Sequence, residues 1–203
     1  IEYLQKVGLA GKNVALAHCI HVNDREQQIL AETNTHVLHC PSSNLKLGSG
    51  VAPITDMLAK GVSVSIGADG APCNNNIDIF KEMRLAALLQ KMQYGSTALP
   101  ARIAFNLATL AGAKALGLEK EIGSIEIGKR ADIIIVNLNK LHCTPTPDLL
   151  STLVYSANAS DVETVLIDGQ IVMKDQQLQT IDEKEVIATA RQEYNHLVKR
   201  AGI

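Results

Sequence analysis

Residues 62–76 read VSVSIGADGAPCNNN, a short β-branched strand that ends in Asp69 and is followed by a glycine turn and three asparagines. A carboxylate that leaves a strand into a glycine turn, with no large neighbour, is accessible to whatever lies above the sheet. Asp-Gly is also a common turn, so this stretch alone is weak evidence for a site. The asparagines tolerate left-handed backbone and offer amide donors and acceptors, although a polar loop that only caps the next helix would use the same residues.

Two upstream segments repeat this arrangement. NVALAHC at residues 13–19 and THVLHC at 35–40 are also short apolar runs, and they end near His18 and His39. Apolar residues recur at helical spacing between or after these strands, at residues 23–34, 50–60, 78–93 and 100–116. Alternating strands and helices with short connections predict a parallel α/β sheet or barrel. Barrel enzymes carry their chemistry at the carboxyl ends of the strands, so polar residues at three equivalent strand ends indicate a site.

The character of the sequence changes over residues 123–180, which we expect to be mainly β. A strongly apolar run at 131–136 and the segment VETVLIDGQIV at 162–172, with its Asp-Gly turn, predict antiparallel strands. A terminal helix is predicted over 182–200, with Asp182 as its N-cap and acidic residues in its first turn.

Composition and charge limit the class of partner. The chain has a formal net charge of −2 and no basic run, so it carries no electrostatic footprint for nucleic acid or an anionic membrane. Its apolar stretches are too short to span a bilayer, and residues 1–11 do not resemble a signal peptide. The four cysteines include no CxxC pair, which disfavours a structural zinc finger and favours the cytoplasm as the location.

Four segments carry a resemblance to a known family: AHC at 17–19, HCPSSNLKLGSG at 39–50, GADGAPCNNN at 67–76 and FKEMRLAALLQK at 80–91. Together they resemble the amidohydrolase superfamily, and within it the branch of 5-methylthioadenosine/S-adenosylhomocysteine deaminases and 5′-deoxyadenosine deaminases. The resemblance implies an α/β fold in which residues 1–120 form the C-terminal part of a (β/α)8 metal-dependent hydrolase barrel, with strands six to eight. Residues 121–203, including GSIEIGKRADIIIV and VETVLIDGQIV, resemble part of the family's accessory β-sandwich and end in a C-terminal helix.

The resemblance assigns roles to two residues. Asp69 is similar to the strand-eight aspartate that binds the metal, contacts the substrate and acts as a base for the attacking water. His18 resembles the strand-six histidine that orients this water and polarises the attacked centre. The implied cofactor is one divalent metal ion, zinc by preference, with iron or manganese as alternatives. The implied reaction is hydrolytic deamination of an adenosine-type nucleoside, with release of ammonia.

The sequence departs from the family in its other metal ligands. The family's first-strand His-x-His pair, strand-five histidine and nearby glutamate lie upstream of strand six, and the six histidines of this chain form no His-x-His pair. One ligand of four does not hold a catalytic zinc. We therefore expect the chain to be an incomplete part of the enzyme, inactive by itself, with the missing N-terminal half of the barrel as its partner and a tendency to form homo-oligomers.

Two other interpretations stay open. Guanine or 8-oxoguanine deaminases and triazine-type hydrolases share the positions of His18 and Asp69, so this part of the sequence barely separates them from nucleoside deaminases. A non-catalytic half-barrel or binding module is a second alternative, supported by the absent histidine pair. A Rossmann-type nucleotide site is disfavoured because no GxGxxG follows any predicted strand.

Overall fold

The computed structural model describes residues 1–202, and these fall into two units. The first unit contains Ile1–Lys129 and Leu138–Asp161, and the second contains Arg130–Asn137 and the chain from Val162 onward. The units are therefore interleaved in sequence. The predicted domain boundary near residue 120 separates the barrel of the family from its β-sandwich segment. It stays a prediction.

Three parallel strands form the sheet of the first unit. They are β1 (Ala15–Ala17), β2 (His36–His39) and β3 (Val64–Ile66), hydrogen-bonded in the order β1-β2-β3. Parallel neighbours require a crossover connection, and helices occupy both crossovers. The predicted strands and their parallel pairing are confirmed.

Nine α-helices belong to the described part of this unit: α1 (Glu2–Lys6), α2 (Asp24–Glu32), α3 (Pro41–Lys46), α4 (Ile54–Ala59), α5 (Ala71–Asn74), α6 (Ile79–Tyr94), α7 (Ala101–Ala108), α8 (Leu110–Ala115) and α9 (Leu149–Tyr155). Two short 3-10 helices, Leu141–Cys143 and Ala159–Asp161, lie on either side of α9. Helix α2 lies in the first crossover, and α3 and α4 lie in the second. Across residues 1–202, no helix combines the length and apolarity that a membrane crossing requires.

Helix α6 shows how the sequence places one face in the core. Its N-cap is Asp78, whose Oδ1 accepts a hydrogen bond of 3.0 Å from the backbone N–H of Phe80. The buried stripe contains Phe80, Met83 and Ala87 at helical spacing. Ile79, four positions before Met83, lies off this stripe and is 36% exposed.

Two helical predictions need correction. The helix predicted over 100–116 is interrupted at Thr109, whose φ of −124° and ψ of −97° are not helical and whose Oγ1 donates to the carbonyl of Phe105 at 2.8 Å. Residues 123–180 are rich in β-strands as predicted, but they also include α9, a helix that was not predicted. That helix begins after Asp148, whose carboxylate accepts from the backbone N–H of Ser151 at 2.9 Å and so caps it.

The second unit contains an antiparallel sheet and the terminal helix. Its strands are β4 (Ile133–Val136), β5 (Val162–Ile167), β6 (Gln170–Lys174) and β7 (Gln177–Leu178), in that order. The predicted Asp168-Gly169 turn joins β5 to β6, with positive φ at both residues, as a tight two-residue hairpin requires. Helix α10 (Glu183–Ala201) begins after Asp182, whose carboxylate accepts from two backbone N–H groups, as predicted.

The capping of α6 gives a first testable prediction. Asp78→Ala leaves the first N–H groups of the helix without their acceptor, and we expect the free energy of unfolding to fall by about 1 kcal/mol. Asp78→Asn keeps an acceptor oxygen at the same position and should cost less. Chemical denaturation of both variants makes the comparison, and equal losses would show that capping is not the contribution of Asp78.

The open edges of the first sheet give a second prediction. Within residues 1–202, neither β1 nor β3 has a strand on its outer side, and unpaired strand edges promote association. We expect the purified 203-residue chain to self-associate, as measured by light scattering. Ala15→Lys, which places a charge at an exposed position of β1, should shift the chain towards monomer. A wild-type chain that stays monomeric at high concentration would contradict this expectation.

Candidate functional site

The two predicted site residues meet at one edge of the parallel sheet. His18 follows β1 and Asp69 lies three residues after β3, and the His18 Nε2 is 3.9 Å from the Asp69 Oδ2. Their side chains are 41% and 26% exposed, so both are accessible from solvent. The prediction that these side chains converge at the carboxyl ends of the strands is confirmed.

Both residues have backbone conformations that L-amino acids rarely adopt. The φ angle is 68° at His18 and 63° at Asp69, in the left-handed region that costs a non-glycine residue about 1–2 kcal/mol. Such strain persists only when the surroundings enforce it, and it is concentrated at functional sites. The N–H of His18 still donates to the Leu38 carbonyl of β2 at 2.9 Å. The chain therefore leaves the extended conformation of β1 at His18, while the backbone N–H of this residue is still paired with β2.

The carboxylate of Asp69 is held by two donors. The hydroxyl of Ser43 on α3 donates to Oδ2, and the backbone N–H of Gly70 donates to Oδ1 at 2.7 Å. The Ser43 hydrogen bond, followed by the Gly70 N–H, lowers the pKa of Asp69 below its usual value, and the neighbouring His18 adds to this effect. Asp69 is therefore ionised at neutral pH and presents anionic oxygens at the sheet edge.

The ring of His18 is held by the residue next to Ser43. The Oδ1 of Asn44 lies 2.7 Å from the Nδ1 of His18, and Asn44 is only 2% exposed. Residues 42–44 read SSN, side chains that can either donate into a pocket or only form a turn. They lie in α3, and two of them contact the two predicted site residues directly.

A buried glutamate fixes the first turn of α3 and the segment that follows β3, which carry this site. Glu82 of α6 is 1% exposed, and its Oε2 accepts from the backbone N–H of Ser42 at 3.1 Å. Its Oε1 accepts at 2.9 Å from the side-chain amide of Asn74, which also donates to the Ala68 carbonyl at 2.7 Å. Glu82 was not predicted as a site residue from the sequence. Its position could have indicated this role, because Glu82 is a carboxylate four positions before Ala86, on the apolar face of α6.

His39 lies behind the site rather than in it. Its side chain is 0% exposed, and neither ring nitrogen has a hydrogen-bond partner within residues 1–202. Burial, with a smaller effect of the neighbouring His18, lowers the pKa of His39 to about 4. His39 is therefore a buried, neutral imidazole, although the sequence grouped it with the other strand-end residues.

The donor set at the sheet edge fits part of a metal site. Asp69 offers an ionised, accessible carboxylate, and His18 offers a ring nitrogen nearby. Among the residues described, the one cluster with three His, Cys or carboxylate ligands close enough to share an ion is His142, Cys143 and Asp161, away from Asp69 in the chain. Because zinc takes four ligands, Asp69 fits as one ligand of a larger set.

Comparisons with known proteins agree on one family. The profile of the amidohydrolase family matches residues 1–172. A 5-methylthioadenosine/S-adenosylhomocysteine deaminase of Moorella thermoacetica is 50% identical over 93% of this chain and 44% of its own length. A 5′-deoxyadenosine deaminase of Methanosarcina acetivorans is 45% identical over 99% of this chain and 46% of its own length. The chain therefore spans less than half the length of these curated relatives.

A solved structure supports the same relationship. An adenosine deaminase from Xanthomonas campestris with bound zinc superimposes with a TM-score of 0.95 and 37% sequence identity. The superposition covers 98% of this chain and 45% of that protein.

The buried His39 gives a third prediction. The unfolded chain protonates this imidazole with a pKa near 6.5, whereas the folded chain keeps it neutral down to about pH 4. The folded state therefore binds fewer protons over this range, and the free energy of unfolding should fall by up to roughly 3 kcal/mol as pH decreases from 6.5 to 4. Denaturation at several pH values measures this slope.

A variant and its control isolate the contribution of His39. His39→Gln cannot take up the proton, so the fall in stability between pH 6.5 and 4 should become shallower. His196→Gln, at an exposed position of α10, should keep the wild-type slope. An unchanged slope in His39→Gln would contradict the assignment.

Proposed function

Since this chain belongs to the amidohydrolase family, we propose that it supplies one side of the active site of a metal-dependent nucleoside deaminase. The substrate class is an adenosine-type nucleoside: 5-methylthioadenosine, S-adenosylhomocysteine or 5′-deoxyadenosine. The observation that carries the proposal is the convergence of His18 with an ionised Asp69, 3.9 Å apart at the carboxyl ends of parallel strands. Barrel enzymes place their catalytic groups at this edge.

The proposed cofactor is one divalent metal ion, with zinc preferred because the Xanthomonas campestris neighbour contains it. Asp69 would be its ligand in this chain, because the carboxylate is ionised and accessible. When bound, such an ion lowers the pKa of water towards neutrality and so provides a nucleophile. Ser43 and Gly70 hold the carboxylate in one orientation, so that little ordering is needed when the ion binds.

Asp69 also has the position and charge of a general base. It would accept a proton from the attacking water, whose oxygen bonds to C6 of the adenine ring. The resulting tetrahedral carbon then loses the amino group. Asp69 returns the proton to the leaving nitrogen, and the C6–N bond breaks to release ammonia and the inosine analogue. The imidazole of His18 would orient the water through its Nε2, the nitrogen that faces Asp69.

The remaining parts of the site must come from elsewhere in the enzyme. We propose that the other metal ligands and most contacts to the ribose lie in a further polypeptide segment, and that residues 1–120 form strands six to eight of a (β/α)8 barrel with it. The relatives named above are about twice as long as the part that this chain matches, which supports this proposal. Their names favour a nucleoside over the guanine and triazine alternatives.

The alternative function is a binding module without catalysis, in which His18 and Asp69 would only cap their strands. His18 and Asp69 both have left-handed backbone, and their solvent-accessible side chains converge. The conformational free energy that this backbone costs has no explanation if the two residues only cap strands. A decayed site has no reason to retain an ionised carboxylate held by two donors. We therefore favour catalysis, and the distinction can be tested with two substitutions.

The fourth prediction concerns the complete enzyme, with its other ligands present. Asp69→Asn keeps the size of the side chain but removes its charge and its basic oxygen. We expect turnover to fall by at least about 10²-fold, because general base catalysis typically contributes about 10²–10⁴-fold. His18→Asn should also reduce turnover but leave most of the metal bound. Ammonia release and metal content are measured per folded enzyme.

A matched control separates charge in the site from charge in general. Asp24→Asn removes a carboxylate whose side chain is 90% exposed, in the same unit, and should leave turnover unchanged. Wild-type turnover in Asp69→Asn would end the catalytic assignment. Loss of metal in His18→Asn would make His18 a ligand instead of a water-orienting group.

A further inference from the structure

Helix α3 contacts both predicted site residues because of its place in the topology. It follows β2, which lies between β1 and β3 in the sheet, so its first turn is flanked by the ends of both outer strands. Neighbouring residues on a helix point about 100° apart. Ser43 consequently contacts Asp69 after β3, and Asn44 contacts His18 after β1.

The contact with Asn44 bears on which nitrogen of His18 carries the proton. A neutral imidazole has one N–H, and two acceptors compete for it here. The Asn44 Oδ1 is 2.7 Å from Nδ1, within hydrogen-bond range, whereas the Asp69 Oδ2 is 3.9 Å from Nε2, beyond it. The partner of one ring nitrogen decides the state of the other.

We infer that Asn44 is a positioning residue that holds His18 as the Nδ1–H tautomer. Nδ1 donates to the Asn44 amide oxygen, so the lone pair of Nε2 faces the space beside Asp69. Under the proposed function, on which the catalytic part of this inference rests, Nε2 is then a hydrogen-bond acceptor for the attacking water. Without Asn44, the proton would move to Nε2 and point at the Asp69 carboxylate.

Burial explains why the Asn44 amide can enforce this choice. Asn44 is 2% exposed, so water does not compete for its oxygen. Its Nδ2 has no hydrogen-bond partner within residues 1–202, so His18 is the hydrogen-bond partner of this side chain in the described part of the chain. The Glu82 hydrogen bond to the backbone of Ser42 fixes the first turn of α3 and with it the position of Asn44.

The tautomer can be measured on the 203-residue chain without any turnover. The ¹⁵N chemical shifts of the His18 ring distinguish Nδ1–H from Nε2–H at a pH where the imidazole is neutral. We expect Nδ1–H in the wild type and in Asn44→Asp, whose carboxylate also accepts from Nδ1. Asn44→Leu, which has a similar volume but no acceptor, should shift the proton to Nε2.

A second buried amide serves as the control. Gln90 of α6 is 0% exposed and donates to the Ala52 carbonyl at 3.0 Å. Gln90→Leu should lower stability but keep the His18 tautomer. A change of tautomer in Asn44→Leu alone would therefore come from the lost contact with His18 and not from the loss of a buried amide in general. The Nε2–H tautomer in the wild type, or an unchanged tautomer in Asn44→Leu, would overturn the inference. If Asn44→Leu does not fold, the wild-type and Asn44→Asp spectra still decide.

Kinetics of the complete enzyme provide the functional readout. Hydrogen-bond partners of metal-ligating histidines typically contribute about 10–100-fold to metal affinity or activity. We expect a loss of the same order for a water-orienting histidine, so Asn44→Leu should lower kcat by about this factor with little change in KM, and Asn44→Asp should recover much of it. A loss confined to KM would contradict the positioning role. Normal turnover in Asp69→Asn would instead reject the proposed function and leave the tautomer result standing.

Discussion

The parallel pairing of β1, β2 and β3 is the constraint on which the rest of the site depends. Parallel strands end at the same edge of a sheet, and the register pairs Ala17 with Leu38 and His39 with Ile66. The segments that follow the three strands therefore emerge side by side. His18, α3 and the loop of Asp69 become neighbours for this reason, although they are far apart in sequence.

This arrangement stores strain and offsets it with hydrogen bonds. His18 and Asp69 have left-handed backbone, and His39 is buried without a hydrogen-bond partner in the described chain. The opposing contributions are the hydrogen bonds from Ser43 and Gly70 to Asp69 and the contact of Asn44 with His18. Held in this way, both side chains are oriented before any ligand arrives, which is the arrangement that catalytic sites require.

The chemistry of the site follows from the state of its charges. Asp69 is ionised, His39 is buried and neutral, and the His18 Nε2 lies 3.9 Å from the Asp69 carboxylate at the sheet edge. An anionic oxygen beside an imidazole suits metal binding and proton transfer, which is the chemistry proposed for this member of the amidohydrolase family. Under the proposed function the chain supplies one part of such a donor set, and its relatives are about twice the length that it matches.

The sequence by itself determined the three parallel strands, the Asp168-Gly169 hairpin, the cap at Asp182 and the strand-end positions of His18 and Asp69, although it grouped the buried His39 with them. These features have local signals: apolar periodicity, turn residues and N-caps. It did not reveal the break at Thr109, helix α9 or the role of Glu82. The pairs Ser43–Asp69 and Asn44–His18 each join residues 26 positions apart. Only the tertiary structure decided them, because strand register and the packing of α3 and α6 bring those atoms together, and no local pattern encodes that distance.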